Sequence, residues 1–272
     1  MQQLNKLKQT TKYFSIGKTA LGKNIWCFVL GDNPTKKLII QASIHAREYL
    51  TTLLLIEQIK HLANFHFNGV IYFVPLVNVD GVKVVKEGIN SFKPQIKQRL
   101  CNIIGDNNYK LFKSNINGVD LNTNFDANWS NGKHNIKQPY FQNYIGPYPH
   151  SEPETQALVN LTKQIKPDMT ISYHLKGEVV YYGFLGQTTA QQNLDKHLAN
   201  IICKHTGYRA VLTKNSCGGY KDYCTTYYNI PAVTIEVGSD EFKHPFPDNQ
   251  LQDIIDKNLQ VPLVALKFLE KI

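Results

Sequence analysis

The sequence predicts an α/β fold: a mixed, mostly parallel twisted sheet with helices on both faces. Three observations carry this. Short β-branched and apolar runs alternate with stretches of helical spacing, as in strands joined through helices. The run K-K-L-I-I-Q-A-S-I at 36 to 44 is apolar without alternation, as in a strand covered on both faces. No repeat, low-complexity linker or composition break divides the 272 residues, so a single domain over 1–272 is expected.

Taken in order, N-I-W-C-F-V-L at 24 to 30 and the run at 36 to 44 read as strands. A helix is expected over 48 to 63, where Leu50, Leu53, Leu54, Ile59 and Leu62 fall near helical spacing. G-V-I-Y-F-V-P-L-V at 69 to 77 gives another strand. Residues 78 to 150 are rich in Asn, Gly, Lys and Pro with weak periodicity, and are expected to be irregular. Their aromatics, Phe112, Phe125, Trp129, Tyr140, Phe141 and Tyr144, argue for packed loops. S-E-P-E at 151 to 154 reads as a capping box, Ser151 with Glu154, and Pro153 suits a first turn. A helix to about 164 follows. Strands near 168–173 and 178–182, a helix near 190–205, a strand near 208–213, a helix near 219–228, a strand near 232–237 and one C-terminal helix near 249–270 complete the chain.

Composition excludes several function classes. Hydrophobic residues make up 42% and charged residues 19%, as in a globular protein and unlike a disordered one. The net charge of +9 comes from 30 basic and 21 acidic residues spread along the chain. Without a basic run or a basic amphipathic helix, no nucleic-acid partner is expected. Cys27, Cys101, Cys203, Cys217 and Cys224 are odd in number and scattered, with no Cys-x-x-Cys, so reduced thiols are expected. M-Q-Q-L-N-K-L-K-Q-T-T-K lacks the apolar core of a signal peptide, and no apolar stretch is long enough to span a bilayer. The expectation is a cytoplasmic protein without a membrane partner.

Four short motifs carry chemistry. In Q-A-S-I-H-A-R-E-Y-L, His45 and Glu48 stand three apart just after a strand. Such a pair is either two metal ligands or a satisfied histidine beside a surface ion pair. A catalytic zinc site takes three ligands from His, Glu and Asp. Of the other histidines, His174 stands out because it ends the strand D-M-T-I-S-Y-H. Sites in open α/β sheets lie at the carboxyl ends of strands. Glu236 lies near the end of A-V-T-I-E-V-G, as a partner of an internal lysine or as a base beside an activated water. Asp120 in G-V-D-L-N is turn chemistry, or the acceptor for the second ring N–H of a ligand histidine.

His45-x-x-Glu48, G-V-D-L-N, His174 and T-I-E-V-G with Glu236, in this order, resemble the zinc metallocarboxypeptidase family from about residue 14 onward. S-I-G-K-T-A-L-G-K at 15 to 23 is similar to the N-terminal strand region of its bacterial members. The resemblance implies that fold, one zinc ion held by His45, Glu48 and His174, and Glu236 as general base. It places the residue that polarises the scissile carbonyl at Lys113, where the better-known members reach an arginine by a different spacing; a solvated loop lysine is the other reading.

Departures narrow the substrate. Carboxypeptidases of this family carry Asn-Arg after G-V-D-x, and the arginine clamps the terminal carboxylate. This chain has Asn122-Thr123. F-K-S-N-I-N-G-V-D-L-N, A-N-W, S-E-P-E-T, H-L-K-G-E-V-V-Y-Y and G-G-Y-K-D-Y resemble the bacterial γ-D-glutamyl-L-diamino acid endopeptidases. These cut between D-glutamate and meso-diaminopimelate (or lysine) in peptidoglycan stem peptides. On that reading Asn122, Thr123, Lys176, Glu178 and Lys221 contact substrate, the lysines for carboxylates and Glu178 for an amine, unless they are plain rim charges. Alternatives are a zinc carboxypeptidase whose clamp is Lys221 or Arg209, a zinc amidoacyl hydrolase of small acylated amino acids, and a catalytically silent peptidoglycan-binding module. No separate wall-binding domain is expected. The choice between diaminopimelate and lysine, the role in recycling or sporulation, and the oligomeric state are not readable.

Overall fold

Strands that cannot show polar alternation are those with both faces covered, and such strands form the middle of the sheet. The computed structural model describes residues 2–213 and 215–272. Eight strands form one sheet: β1 (Lys12–Lys18), β2 (Asn24–Leu30), β3 (Lys37–Ala42), β4 (Val70–Val74), β5 (Met169–Leu175), β6 (Val179–Tyr182), β7 (Arg209–Leu212) and β8 (Ala232–Val237). Their order is β1-β2-β4-β3-β5-β8-β6-β7. The β4-β3-β5-β8 centre and the β6–β7 pair are parallel. The β1–β2, β2–β4 and β8–β6 pairs are antiparallel. Every residue of β5, and all of β3 after the first, is buried. This continuous burial is why those segments read as apolar runs.

Among the described residues the α-helices are α1 (Gln2–Leu7), α2 (Leu50–Leu62), α3 (Val79–Glu87), α4 (Pro94–Ile104), α5 (Pro153–Ile165), α6 (Thr189–Thr206), α7 (Tyr220–Tyr228), α8 (Leu251–Asn258) and α9 (Val261–Leu269). Together with the sheet this is a single α/β domain. No described helix is long and apolar enough to cross a membrane.

Three expectations need correction. Residues 78 to 150 are not wholly irregular, since they contain α3 and α4. These helices are short and bury a narrow stripe (Val84, Val85, Leu100, Ile103, Ile104) in a small core of their own with Phe112, Ile116 and Phe141. Each helix has a marked apolar face, but Gly88, Pro94 and Gly105 bracket the two and give the stretch the composition of a loop. The rest of the stretch is packed loop, with Phe112 and Phe125 fully buried.

The capping box at Ser151 does not form. The N-cap of α5 is Glu152, with Pro153 in the first turn as expected. Ser151 instead donates to Glu152 Oε1 (2.8 Å) and accepts from Asn124 Nδ2 (3.0 Å). Glu154 turns to the N–H of Ala20 (3.1 Å) and to Asn115 Nδ2 (3.1 Å). Both side chains are recruited by loops outside the helix.

The single C-terminal helix is two. Pro262 sits in the first turn of α9. Within one continuous helix its ring would clash with the carbonyl of Asn258, four residues back. That carbonyl accepts from Gln58 Nε2 (2.8 Å) instead.

Burial pushes the Glu154 carboxyl up to about 7, with Glu152 adding to it and the donors Ala20 N–H and Asn115 opposing. The folded state therefore keeps a proton that the unfolded chain loses near 4.5. The associated stability is full below about pH 4.5 and is lost as pH rises to about 7. Glu154→Gln is expected to flatten this fall by on the order of 1–3 kcal/mol. Urea unfolding of both proteins across that range checks it, and an unchanged slope would refute it.

Candidate active site

The site begins with the loop that leaves β3. Ser43 takes a positive φ of 49° and turns the chain out of the sheet. Its N–H donates to Thr51 Oγ1 (3.0 Å), and Thr51 Oγ1 donates to the Glu48 carbonyl (2.7 Å). Asn78 Nδ2 bridges the carbonyls of Ile44 (3.2 Å) and Ser114 (3.0 Å), while Ala46 N–H donates to the Lys113 carbonyl (3.0 Å). Gly81 permits this junction, because a Cβ there would lie 2.5 Å from Asn78 Oδ1 and 2.7 Å from the Ser114 carbonyl. The result fixes His45 and Glu48 on a rigid turn before α2.

His174 is the penultimate residue of β5, and its register partner on β8 is Glu236. β3, β5 and β8 are neighbours, so their carboxyl ends bring His45, Glu48, His174 and Glu236 to one crevice. β3 is flanked by β4 on one side and β5 on the other, the switch point where such folds bind ligands.

Three donor atoms converge there. His45 Nδ1 lies 2.8 Å from Glu48 Oε1 and 3.1 Å from His174 Nδ1, and His174 Nδ1 lies 3.2 Å from Glu48 Oε2. All three residues are buried. His45 Nε2 faces Asp120 Oδ1 at 3.1 Å. A neutral imidazole has one N–H, and this contact claims it, so Nδ1 presents a lone pair to a carboxylate. That contact is repulsive unless a positive charge lies between the two groups. Ligands 2.0–2.1 Å from a tetrahedral zinc are about 3.3 Å apart. The two imidazole nitrogens are 3.1 Å apart, and each meets one of the two Glu48 oxygens, at 2.8 and 3.2 Å, distances of that size. The donor set therefore fits zinc, and among the described residues it is the group of His, Cys, Asp or Glu that can hold a metal ion.

Asp120 carries the next layer. Its Oδ2 takes Lys113 Nζ at 2.7 Å, and its carboxyl is held well below the usual range despite burial, by the charges of Lys113 and His45 and their hydrogen bonds. Lys113 thus meets the metal group through Asp120. Glu236 is raised above the ordinary carboxylate range, first by burial and then by the neighbouring Glu48, with His174 and Lys113 opposing.

The remaining predicted residues are placed as follows. Thr123 Oγ1 donates to the Asp120 carbonyl (2.8 Å), and Asn122 Oδ1 accepts from Tyr220 N–H (3.1 Å) at the start of α7. Lys176 pairs with Asp240 (2.9 Å) and Glu178 with Lys257 (2.7 Å). Lys221 is buried, donating to Asp222 Oδ1 (2.5 Å) and to the Gly183 carbonyl (2.6 Å). The metal group, Asp120, Lys113 and Glu236 come together, whereas Lys176, Glu178 and Lys221 each carry partners of their own.

Sequence reasoning missed Asn115 and Glu152. Asn115 Nδ2 donates to Glu152 Oε2 (2.7 Å) and Glu154 Oε2 (3.1 Å), and its Oδ1 accepts from the N–H of Asn117 (3.0 Å) and Val119 (3.1 Å). This knot holds the loop that runs from Lys113 to Asp120. Two glutamates around a proline were a visible signal, but their helix-start context pointed to capping.

Asp120→Asn is expected to lower zinc affinity about 10–100-fold, because the acceptor that fixes His45 loses its charge. Competition with a chelator, followed by the zinc retained, measures this. Equal affinity in both proteins would refute the positioning role.

Comparison with known proteins follows this geometry. Residues 1–261 match the family model described as zinc carboxypeptidase. The chain is 28% identical over 291 aligned residues to gamma-D-glutamyl-L-diamino acid endopeptidase 1 of Lysinibacillus sphaericus, over 98% of this chain and 70% of that one. Carboxypeptidase A from Helicoverpa armigera superposes with a TM-score of 0.76 at 17% identity, over 98% of this chain and 70% of that one. The murein-tripeptide amidase MpaA of Escherichia coli O157 superposes with a TM-score of 0.60 at 20% identity, over 93% and 91%. The two superpositions bear on the fold, and the family match takes in every strand of the sheet. The chain belongs to the zinc carboxypeptidase family and is a zinc metallopeptidase.

Proposed function

We propose that this peptidase hydrolyses the bond between γ-D-glutamate and the diamino acid, meso-diaminopimelate or lysine, of peptidoglycan stem peptides. The observation that carries the reading is Thr123. Where carboxypeptidases of the family hold a substrate carboxylate with arginine, this chain has a hydroxyl that donates to the Asp120 carbonyl (2.8 Å). A hydroxyl cannot supply the bidentate, charged contact that selects a C-terminal residue. The relative from Lysinibacillus sphaericus, named for γ-D-glutamyl-L-diamino acid bonds, supports the same reading over nearly the whole chain.

In this proposal His45, Glu48 and His174 hold the zinc. Bound zinc supplies Lewis acidity, which acidifies water and polarises a carbonyl oxygen. Glu236 stands across from His174 in the sheet, with a raised pKa caused by burial, so it is suited to accept a proton from water and return it to the leaving amine. Lys113 brings the cation nearest to Asp120 and, on leaving that contact, can stabilise the oxyanion. Asp120 keeps the His45 proton on Nε2. Lys176 and Glu178 stand on the turn after His174 as rim contacts, and a substrate would compete there with Asp240 and Lys257. Asn122 and Thr123 stand beside Asp120, while Lys221 is held by the Gly183 carbonyl and Asp222, which a substrate carboxylate would have to displace.

Zinc-loaded protein is expected to cleave L-Ala-γ-D-Glu-meso-diaminopimelate and to leave a hippuryl-type carboxypeptidase substrate intact. Cleavage of the hippuryl substrate alone would sink the reading. Glu236→Gln is expected to keep its zinc, by metal analysis, while kcat falls by about 10²–10⁴-fold. Retention of full turnover would remove Glu236 from the mechanism.

A further inference from the structure

His45 and His174 turn the same ring nitrogen, Nδ1, towards the metal group, but their second nitrogens are placed differently. His45 Nε2 faces Asp120 Oδ1 at 3.1 Å. His174 Nε2 is buried and meets no hydrogen-bond partner among the described residues. A neutral imidazole whose Nδ1 is a ligand carries its proton on Nε2. Ligand histidines give that proton to an oxygen, which fixes the ring and its tautomer. His174 therefore calls for an acceptor of its own.

The sheet brings two polar side chains to the place. Alternate residues of a strand share a face, and register partners on parallel neighbours share it too. Ser172 stands two residues before His174 on β5, and its register partner on β3 is Gln41. Gln41, Ser172 and His174 thus line one patch, on the face opposite Ala42 and Tyr173. Each is at most 1% exposed. Gln41 Oε1, Gln41 Nε2 and Ser172 Oγ are, like His174 Nε2, buried without a partner among the described residues. On its other side Gln41 has Val74 of β4, which offers no polar group.

A carboxamide unpaired at both ends is costly in the middle of a sheet. Methionine would fill a similar volume there without that cost. The polar identity of residue 41 makes sense when something between the three side chains bonds to it. An internal water makes about three hydrogen bonds to buried groups that otherwise lack them. The patch holds that number of groups: one ring N–H, one hydroxyl and one carboxamide.

We infer that Gln41 is a positioning residue for His174, its Oε1 taking the Nε2 proton through one internal water that Ser172 Oγ also holds. The inference rests on the proposed role of His174 as a zinc ligand. The water accepts from His174 Nε2–H and donates to Gln41 Oε1 and Ser172 Oγ. The two histidines then stand on unlike supports, a carboxylate for His45 and a neutral carboxamide for His174. Glu48, Asp120 and Glu236 already bring three carboxyl groups to this crevice. A carboxamide orients the second ring without adding a further buried charge.

Gln41→Met removes the acceptor and keeps the volume, so the zinc-free protein is expected to hold or raise its Tm. The same variant is expected to bind zinc about 10–100-fold more weakly in competition with a chelator. A residue that served packing alone would leave zinc affinity unchanged. In zinc-loaded protein with ¹⁵N-labelled histidine, Gln41→Met should move the Nε2–H signal of His174 and leave that of His45 in place. Asp120→Asn moves the His45 signal and so tells the two apart. Wild-type zinc affinity in Gln41→Met, or an unmoved His174 signal, overturns the inference. Where Gln41→Met does not fold, Ser172→Ala carries the test: weaker zinc binding is expected, and unchanged affinity overturns it. Zinc binding unchanged in His174→Ala overturns the ligand assignment as well, whereas a loss there beside wild-type affinity in Gln41→Met overturns the positioning role alone.

Discussion

Asp120 has no solvent exposure and four donors around its two oxygens. Oδ1 faces His45 Nε2 and accepts from the N–H of Asn122, and Oδ2 takes Lys113 Nζ and the N–H of Asn143. A buried carboxylate is costly unless it is paired and hydrogen-bonded, and here both conditions hold. The consequences spread outward. One contact sets the His45 tautomer and turns Nδ1 towards Glu48 and His174. Another holds Lys113 close to the crevice. The two backbone contacts hold the chain at Asn122 and Asn143 against it. Removing the charge at 120 would therefore loosen metal group, cation and loops together.

The sheet supplies what Asp120 cannot. Parallel β3, β5 and β8 deliver their carboxyl ends side by side, so residues more than a hundred positions apart in the chain meet within hydrogen-bonding distance. Because β5 is buried on both faces, His174 cannot move without disturbing packing on each side. The opposite partner is held less by the sheet than by polar stitching: Ser43, Thr51, Asn78 and the Lys113 backbone fix the turn that carries His45 and Glu48. A rigid strand and a stitched turn together pre-form the site, which favours binding a metal without reorganisation.

The loops also carry buried charge that does no chemistry. Glu152 and Glu154 meet at Asn115 and take further donors from Asn117, Ser151 and the Ala20 N–H, which closes the loop between Lys113 and Asp120. The raised pKa of Glu154 is the mark of that burial. Perturbed carboxylates are thus found both in the candidate active site and in its support, and geometry, not titration, tells them apart.

By itself the sequence determined the α/β class and the strands of the sheet centre, because long apolar runs are local signals. Its ordered His, Glu and Asp motifs, through a family resemblance, pointed to the residues that the fold gathers into a candidate metal group. It also marked Thr123 as a departure, since one residue type cannot do another's electrostatics. Tertiary structure decided the rest. The short helices between 78 and 104 stayed hidden because Gly88, Pro94 and Gly105 bracket them and give the stretch a loop's composition, although each has a marked apolar face. Ser151 and Glu154 looked like a cap and serve a loop, because partners distant in sequence outbid the local one. Lys176, Glu178 and Lys221 read as substrate contacts or rim charges, and the fold gives each an opposite charge within the protein.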